Sequence, residues 1–168
     1  IRTLKRQLNT KSIWKNYIYD SFFYFFMLKL LWWRKMNRTE LRKKIMTILY
    51  QIFLYQSNHI DYKVEDVIKE SVPLENEFVN EIVNGVLEYK NDIDRIANKH
   101  LKDWTIDRLG KTDQAILRMG IYELVYTDTP EIVAINEAVE LANEYSDEKV
   151  KSMINAVLDS IYHGEDNE

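Results

Sequence analysis

The stretch DQAILRMGIYELVY at residues 113–126 decides the fold. Its apolar side chains fall on nearly every side of a helix, so we expect this helix to be surrounded by protein. Thr112 is predicted to cap its start, because a hydroxyl oxygen accepts a hydrogen bond from a free amide of the first turn. The stretch therefore predicts the buried central helix of an all-α domain.

Helical patterns continue on the C-terminal side of this central helix. We predict a turn at Thr127–Pro130 and then two further helices, at residues 135–145 and 147–162. Ser146 is predicted to cap the second of them, and Gly164 is predicted to end it.

Helical patterns also fill the N-terminal side. An apolar stripe at three- and four-residue spacing predicts a first helix that Asn37 or Thr39 caps. The polar run Tyr89–Asp94 either divides a later helical stretch into two helices or lies within one. The pattern predicts helices at 37–58, 63–71 and 74–99 and a short apolar segment at 101–109, which makes six or seven helices in all and no strand.

The composition fits one helical domain and excludes some kinds of site. The 168 residues are enough to bury a sizeable core, and four Gly and two Pro are few for a β-rich chain. Cys is absent, which excludes a disulfide framework and a thiolate metal site. We expect a cytoplasmic protein.

Charge divides the chain near Met36. Residues 1–35 carry eight Lys/Arg and one acid, a charge of +7. The whole chain has 23 basic and 27 acidic residues, so residues 36–168 carry 15 basic and 26 acidic ones, a charge of −11. Ten of the 21 aromatic residues also lie before Met36. We therefore treat 1–35 as an extension outside the native domain, 36–163 as the helical domain and 164–168 as an acidic tail.

Three interpretations of residues 1–35 stay open. The segment is translated from upstream sequence with Met36 as the true initiator, or it is an interfacial amphipathic anchor, or it spans a membrane. Its uncharged run Ser21–Leu28 is far shorter than the roughly 20 residues that span a bilayer. Mass spectrometry of the native protein tests the first interpretation, because a species that begins before Met36 contradicts it.

The sequence shows no catalytic or metal-binding constellation. The histidines, His59, His100 and His163, are far apart and form no HExxH or ExxH spacing. A Gly-rich phosphate loop and a GxSxG elbow are also absent. Acidic pairs such as Asp92/Asp94 and Asp147/Glu148 are typical of solvated helix faces and caps. We expect a binding protein without a cofactor or metal, not an enzyme.

A basic cluster at the first helix stands out against the acidic background. Arg38 and Arg42 are four residues apart and are expected to share a helix face. Lys43 and Lys44 follow directly, and only Glu40 opposes the cluster. Cations arranged in this way can follow RNA phosphates, although a basic helical turn is also typical of an ordinary solvated surface.

Several segments together resemble the NusB family. They are Ala115–Leu124 (AILRMGIYEL), Val133–Ala142 (VAINEAVELA) and Ile154–Leu158 (INAVL), with Asn84–Leu87 (NGVL) and a basic first helix that runs into Leu49-Tyr50-Gln51. The resemblance covers residues 36–161 and implies two small helical bundles packed together. The same fold resembles the N-terminal domain of certain rRNA cytosine methyltransferases, but this chain has no room for their methyltransferase domain.

The resemblance also implies partners and binding residues. Members of this family pair with the ribosomal protein NusE and bind the boxA element of nascent RNA, mainly in ribosomal RNA operons, and so help RNA polymerase to read through terminators. By resemblance, the RNA-binding residues are Arg38, Arg42, Lys43, Lys44, His100, Arg118, Lys149, Lys151 and Met153, and the NusE-facing residues are Tyr50, Leu54 and Asp113. Some relatives self-associate, so a homodimer stays open.

Three of these positions carry alternatives. Met153 stands where the family often has Phe, and a flexible thioether replaces a flat ring if that Phe stacks on a base. His100 stands where the family often has an aromatic residue and can still stack. Arg118 either contacts RNA or forms a salt bridge with Glu123 or with a neighbouring helix.

Net charge sets an expectation for the mechanism. A domain of charge −11 repels RNA at long range, so we expect weak RNA binding alone and a gain when a basic partner such as NusE joins. A protein–protein adaptor that never touches RNA is the alternative, and the ribonuclease sensitivity of its pull-downs separates the two. A membrane-associated protein is a third possibility that depends on residues 1–35, and cell fractionation tests it.

Overall fold

The computed structural model describes residues 37–164. Over this range the chain forms seven α-helices and one short 3₁₀ helix, with no strand among the described residues. The helices are α1 Arg38–Ser57, α2 Val64–Ser71, α3 Glu77–Glu88, α4 Lys90–His100, α5 Lys111–Tyr126, α6 Glu131–Tyr145 and α7 Glu148–His163, and the 3₁₀ helix Ile106–Arg108 lies between α4 and α5. The all-α prediction is confirmed.

Helix α5 is the centre of this fold. Ten consecutive residues, from Gln114 to Glu123, are buried. Helices α1, α3, α4, α6 and α7 all contact it. A Cβ added at Gly120 would lie 3.0 Å from the Cβ of Ala138 on α6 and 3.2 Å from Leu158 on α7, so the glycine permits both helices to approach closely. The sequence prediction of a buried central helix is confirmed.

The other helices pack around α5 in two groups. Helices α2 and α3 pack on α1, whereas α7 packs on α6. Helix α4 contacts α3, α5 and α7 and therefore joins the groups. Helices α3 and α4 are separated at Tyr89, the first residue of the polar run Tyr89–Asp94. Of the two predicted alternatives for this stretch, the division into two helices is therefore confirmed. Each group buries its apolar face against α5, which gives the chain one continuous core.

Several predicted helix caps are wrong. Helix α5 starts at Lys111 after Gly110, so Thr112 lies inside it. Thr39 also lies inside its helix, and its hydroxyl donates to Glu137 on α6 at 2.8 Å. Helix α6 starts at Glu131, four residues earlier than predicted, because the fixed φ of Pro130 (−55°) suits the residue before a helix.

The cap of α7 is also not the predicted one. Asp147, not Ser146, caps this helix, and its carboxylate accepts from the backbone N–H of Val150 at 2.8 Å. Ser146 ends α6 instead, and its hydroxyl donates to Asp113 on α5. Gly164 ends α7 as predicted, with φ of +66° in the left-handed region that favours glycine.

The described range limits which predictions the structure addresses. The interpretations of residues 1–35 lie outside the described residues, and so do residues 165–168 of the predicted acidic tail at 164–168. Within them, none of the helices is long and apolar enough to cross a bilayer.

Candidate functional site

Arg42 of the basic first helix is turned into the protein. Its side chain is 2% exposed, and its guanidinium donates to Glu123 on α5 through Nε at 2.8 Å and Nη2 at 2.9 Å. A third nitrogen lies 3.6 Å from Glu137 on α6. Glu123 is itself 1% exposed, so the pair is a buried ion pair that links α1 to α5. Arg38 and Arg42 therefore do not present a common face to solvent.

Arg118 is also buried, at 1% exposure. Its Nε and Nη2 donate to the carboxylate of Asp94 on α4 at 2.7 and 3.0 Å, and its Nη1 donates to the side-chain oxygen of Gln114 at 2.9 Å. Its guanidinium lies 4.6 Å from the ring centre of Phe53 near the end of α1. Of the structural alternatives for Arg118, the salt bridge to a neighbouring helix is confirmed, and the one to Glu123 is wrong because Arg42 occupies that carboxylate.

The remaining cations of α1 lie at the protein surface. Arg38 is exposed, with its guanidinium 4.7 Å from the ring centre of Phe78. Lys43 is partly exposed and forms a 2.7 Å ion pair with Glu144 at the end of α6. The hydrogen bond between these two groups raises the pKa of Lys43 above 10.5 and lowers the pKa of Glu144 below 4.5. Lys44 is half-buried.

Three predicted RNA-binding residues from α4 and α7 converge on two adjoining clefts. Met153 and Lys102 line both clefts, which have volumes of about 670 and 420 Å³. Lys149, one helical turn before Met153, lines the larger cleft, and His100 at the end of α4 lines the smaller one. The His100 ring is 9% exposed, and its Nδ1 lies 2.8 Å from the hydroxyl of Ser160, so little of its face is open to a base.

Lys151 lies close to these clefts along α7 but points elsewhere. Its ammonium group is 2.9 Å from Glu148 and 3.2 Å from the side-chain oxygen of Asn143 on α6. Lys43 pairs with Glu144, the next residue on α6. The end of α6 therefore lies between a cation of α1 and a cation of α7.

Sequence reasoning missed the one aromatic residue that lines the larger cleft. Trp104 was assigned only to an apolar segment, yet its side chain is 39% exposed and lines this cleft. The Arg108 guanidinium lies 5.3 Å from its ring centre and the Lys149 ammonium 5.8 Å away. The signal available in the sequence was a tryptophan between Lys102 and Arg108 in a segment with no helical period.

The predicted partner-facing residues lie in two settings. Tyr50 and Leu54 are four residues apart on α1, and each is 38% exposed, so they share an open face of that helix. Asp113 is half-buried at the start of α5, where it accepts the Ser146 hydroxyl and lines the larger cleft.

The described residues hold no group of three or more His, Asp or Glu side chains placed to bind a metal ion. His163 lies 3.6 Å from Asp159 on the exposed end of α7. His59 occupies the turn after α1 with a positive φ of 53°.

Comparison with known proteins gives consistent matches over the described helices. A sequence model described as the NusB family matches residues 39–163. The transcription antitermination protein NusB of Macrococcus caseolyticus (strain JCSC5402) is 41% identical over 128 residues, which cover 75% of this chain and 96% of the relative. The corresponding protein of Ligilactobacillus salivarius (strain UCC118) is 38% identical over 132 residues, covering 75% of this chain and 98% of the relative.

Solved structures share the fold. A crystal form of T. maritima NusB superposes with a TM-score of 0.65 at 28% identity, covering 77% of this chain and 92% of that one. A structure of the antitermination factors NusB and NusE in complex with dsRNA superposes with a TM-score of 0.64 at 28% identity, covering 76% of this chain and 96% of that one.

Proposed function

The chain belongs to the NusB family of transcription antitermination proteins, and from this premise we propose that it binds boxA-type RNA together with NusE. The RNA comes from ribosomal RNA operons, and the complex acts within the transcription elongation complex to sustain processive transcription. The chain is thus a transcription antitermination factor whose own part is to hold RNA.

One observation carries the RNA-binding part of the proposal. His100 and Met153 are far apart in the sequence, yet they line one cleft, and Lys149 lines the cleft beside it. A cation next to apolar side chains suits single-stranded RNA, which offers both phosphates and unstacked bases.

The proposed contacts divide by burial. Arg38, Lys43, Lys44, Lys149 and Lys151 hold phosphates, because each has an exposed or partly exposed side chain. Met153 and the edge of His100 border the bases. Arg42 and Arg118 act indirectly, since their buried ion pairs hold α1 and α4 against α5.

NusE is proposed to dock on the face that contains Tyr50 and Leu54, and Asp113 at the start of α5 is proposed as a separate contact. A ribosomal protein bound there adds positive charge to a domain whose residues 36–168 sum to −11. The added charge lowers the repulsion that RNA meets, so NusE and RNA are expected to bind cooperatively.

A titration of labelled boxA-type RNA into the full chain, with and without NusE, tests the proposal. NusE should tighten RNA binding on the order of tenfold. Equal affinity in both cases contradicts the cooperative mechanism. Absence of binding in both cases, with NusE still captured, favours the protein–protein adaptor. Light scattering of the chain alone measures whether it forms a homodimer.

A charge-reversal pair locates the RNA surface. Lys149→Glu with Lys151→Glu should weaken RNA binding about tenfold and reduce the salt dependence by the loss of one or two phosphate contacts. Lys63→Glu with Lys69→Glu is the matched control, because both are exposed cations at α2, away from both clefts, and their reversal changes the net charge by the same amount. Equal losses in the two variants contradict the proposed surface and indicate only a general effect of net charge.

A further inference from the structure

The connection between α4 and α5 holds Trp104 rigidly while leaving its ring outside the core. Leu101, Ile106 and Leu109 of this connection are buried. The backbone N–H of Ile106 donates to the side chain of Asn98 at 2.8 Å, and the carbonyl of Leu109 accepts from the buried Gln114 at 2.9 Å. The backbone on both sides of Trp104 is thus anchored before any ligand arrives, which lowers the entropic cost of binding.

Three cations close to this ring can contact the phosphates of a nucleic-acid strand. Arg108 and Lys149 lie over the Trp104 ring, and Lys102 lines the same cleft. A cation–π contact at an exposed site is weak, so these cations can turn toward phosphates with little loss. Three carboxylates, those of Asp103, Asp113 and Asp147, also line the cleft. Asp147 accepts a hydrogen bond from the N–H of Val150, and Asp113 accepts one from the Ser146 hydroxyl.

The walls of the cleft suit a flat, mostly apolar group. Leu109, Val150 and Met153 line it with Trp104, and its volume of about 670 Å³ falls within the range of small-ligand sites. Trp104 is the one aromatic residue among the side chains that line this cleft.

We propose that the Trp104 cleft takes one unpaired base of single-stranded RNA, which stacks on the indole beside Met153 while Lys102, Arg108 and Lys149 hold its flanking phosphates. This proposal rests on the proposed RNA-binding function and adds to it a base-binding site. Stacking needs an unpaired base, so the cleft selects single strands over a duplex of the same sequence.

An abasic scan tests the site in the full chain with NusE present. In the scan, each nucleotide of the single-stranded RNA loses its base in turn. Trp104→Ala should weaken binding of the intact strand about tenfold, as expected for one lost stacking contact. At the nucleotide whose base stacks on Trp104, base removal should weaken RNA binding by the unaltered chain. The same base removal should not weaken RNA binding by the Trp104→Ala variant any further. Base losses that weaken both proteins equally at every position would overturn the proposal.

Two companion variants separate stacking from folding. Trp104→Phe should retain most of the affinity, because a phenyl ring still stacks. In the unaltered chain, bound RNA should quench the fluorescence of the Trp104 indole, and the Trp104→Phe variant should lose this quenching. Quenching that persists unchanged in the variant arises from Trp14, Trp32 or Trp33 and contradicts the site. Tyr126→Ala, at the opposite end of α5, is the matched exposed aromatic control and should bind RNA normally.

The outcomes distinguish the two proposals. If the unaltered chain with NusE fails to bind RNA, the proposed function falls, and the base site falls with it. If that chain binds RNA and Trp104→Ala binds equally well, only the base site falls. A duplex of the same sequence should be insensitive to Trp104→Ala, and an equal loss for duplex and single strand would also overturn the stacking proposal.

Discussion

Two arginine-bearing regions of this molecule use the same side chain in opposite ways. Arg42 and Arg118 are 2% and 1% exposed, and each donates to a carboxylate on another helix. Arg108 is exposed and lies over the Trp104 ring at the edge of a cleft. The first region holds helices together, and the second is open to a ligand.

The difference follows from desolvation. A guanidinium that leaves water loses its hydration and must recover it from fixed hydrogen bonds, so a buried arginine is committed to its partners. An exposed arginine keeps its hydration and can exchange a weak contact for a phosphate. Burial therefore separates Arg42 and Arg118, which hold helices together, from Arg108, which is open to a ligand. Two predictions test that separation, and a third tests an exposed ion pair.

The largest expected effect is on stability at the buried region. Arg42→Ala leaves the carboxylate of Glu123 buried without its ion-pair partner, so the free energy of unfolding should fall by about 3–5 kcal/mol. Urea denaturation followed by circular dichroism measures this change. Arg38→Ala, an exposed cation on the same helix, is the matched control and should change stability by about 0.5 kcal/mol or less. Similar losses in both variants would remove the distinction between the two regions.

An intermediate effect comes from exchanging arginine for lysine in both regions. Arg118→Lys keeps the charge but loses the paired hydrogen bonds to Asp94 and the bond to Gln114, which should cost about 1–3 kcal/mol. Arg108→Lys should leave stability within about 0.5 kcal/mol, because its side chain is exposed. The same denaturation measurement applies, and a neutral Arg118→Lys would show that its geometry is not required.

The smallest effect is expected at the exposed Lys43–Glu144 pair. The folded-state pKa of Glu144 lies below 4.5, so its contribution to stability is present above pH 4.5 and is lost as the pH falls further. The pKa of Lys43 is raised above 10.5, so its contribution is present below that pH and is lost as the pH rises through the folded value.

Glu144→Gln measures this pair directly. The denaturation midpoints of the variant and the unaltered chain should differ slightly at neutral pH and converge in acid below pH 4.5. They converge because protonation of Glu144 removes from the unaltered chain the charge that the variant already lacks. A difference that grows as the pH falls would reverse the assigned sign.

Local pattern predicted the helices well but their ends less well. The buried run of α5 and the break near Tyr89 are visible in the order of apolar and polar residues. The caps at Thr112 and Ser146 were wrong, and of the two alternatives for α1, Thr39 lies inside the helix whereas Asn37 directly precedes it. Two of these three hydroxyls donate to acids on other helices, Thr39 to Glu137 and Ser146 to Asp113. A cap depends on competition between nearby and distant partners, and only the nearby ones can be read from the chain.

The candidate site was predicted in part for the same reason. Lys149 and Met153 were found through the family resemblance, and they do lie on the larger cleft. Trp104 was missed, because a tryptophan in an apolar segment is typical of a core residue. Its exposure follows from its neighbours Leu101, Ile106 and Leu109, which fill the available interior and leave the indole outside.

The amino-acid sequence alone determined that this chain is helical, that residues 113–126 form its centre and that it belongs with the antitermination proteins, since periodicity and motif spacing are local properties. Only the tertiary structure decided which cations face water. Arg42 meets Glu123 across 81 positions of the chain, and Arg118 meets Asp94 across 24. Whether a charge is buried depends on a partner that packing brings to it, and no local stretch of sequence contains that partner.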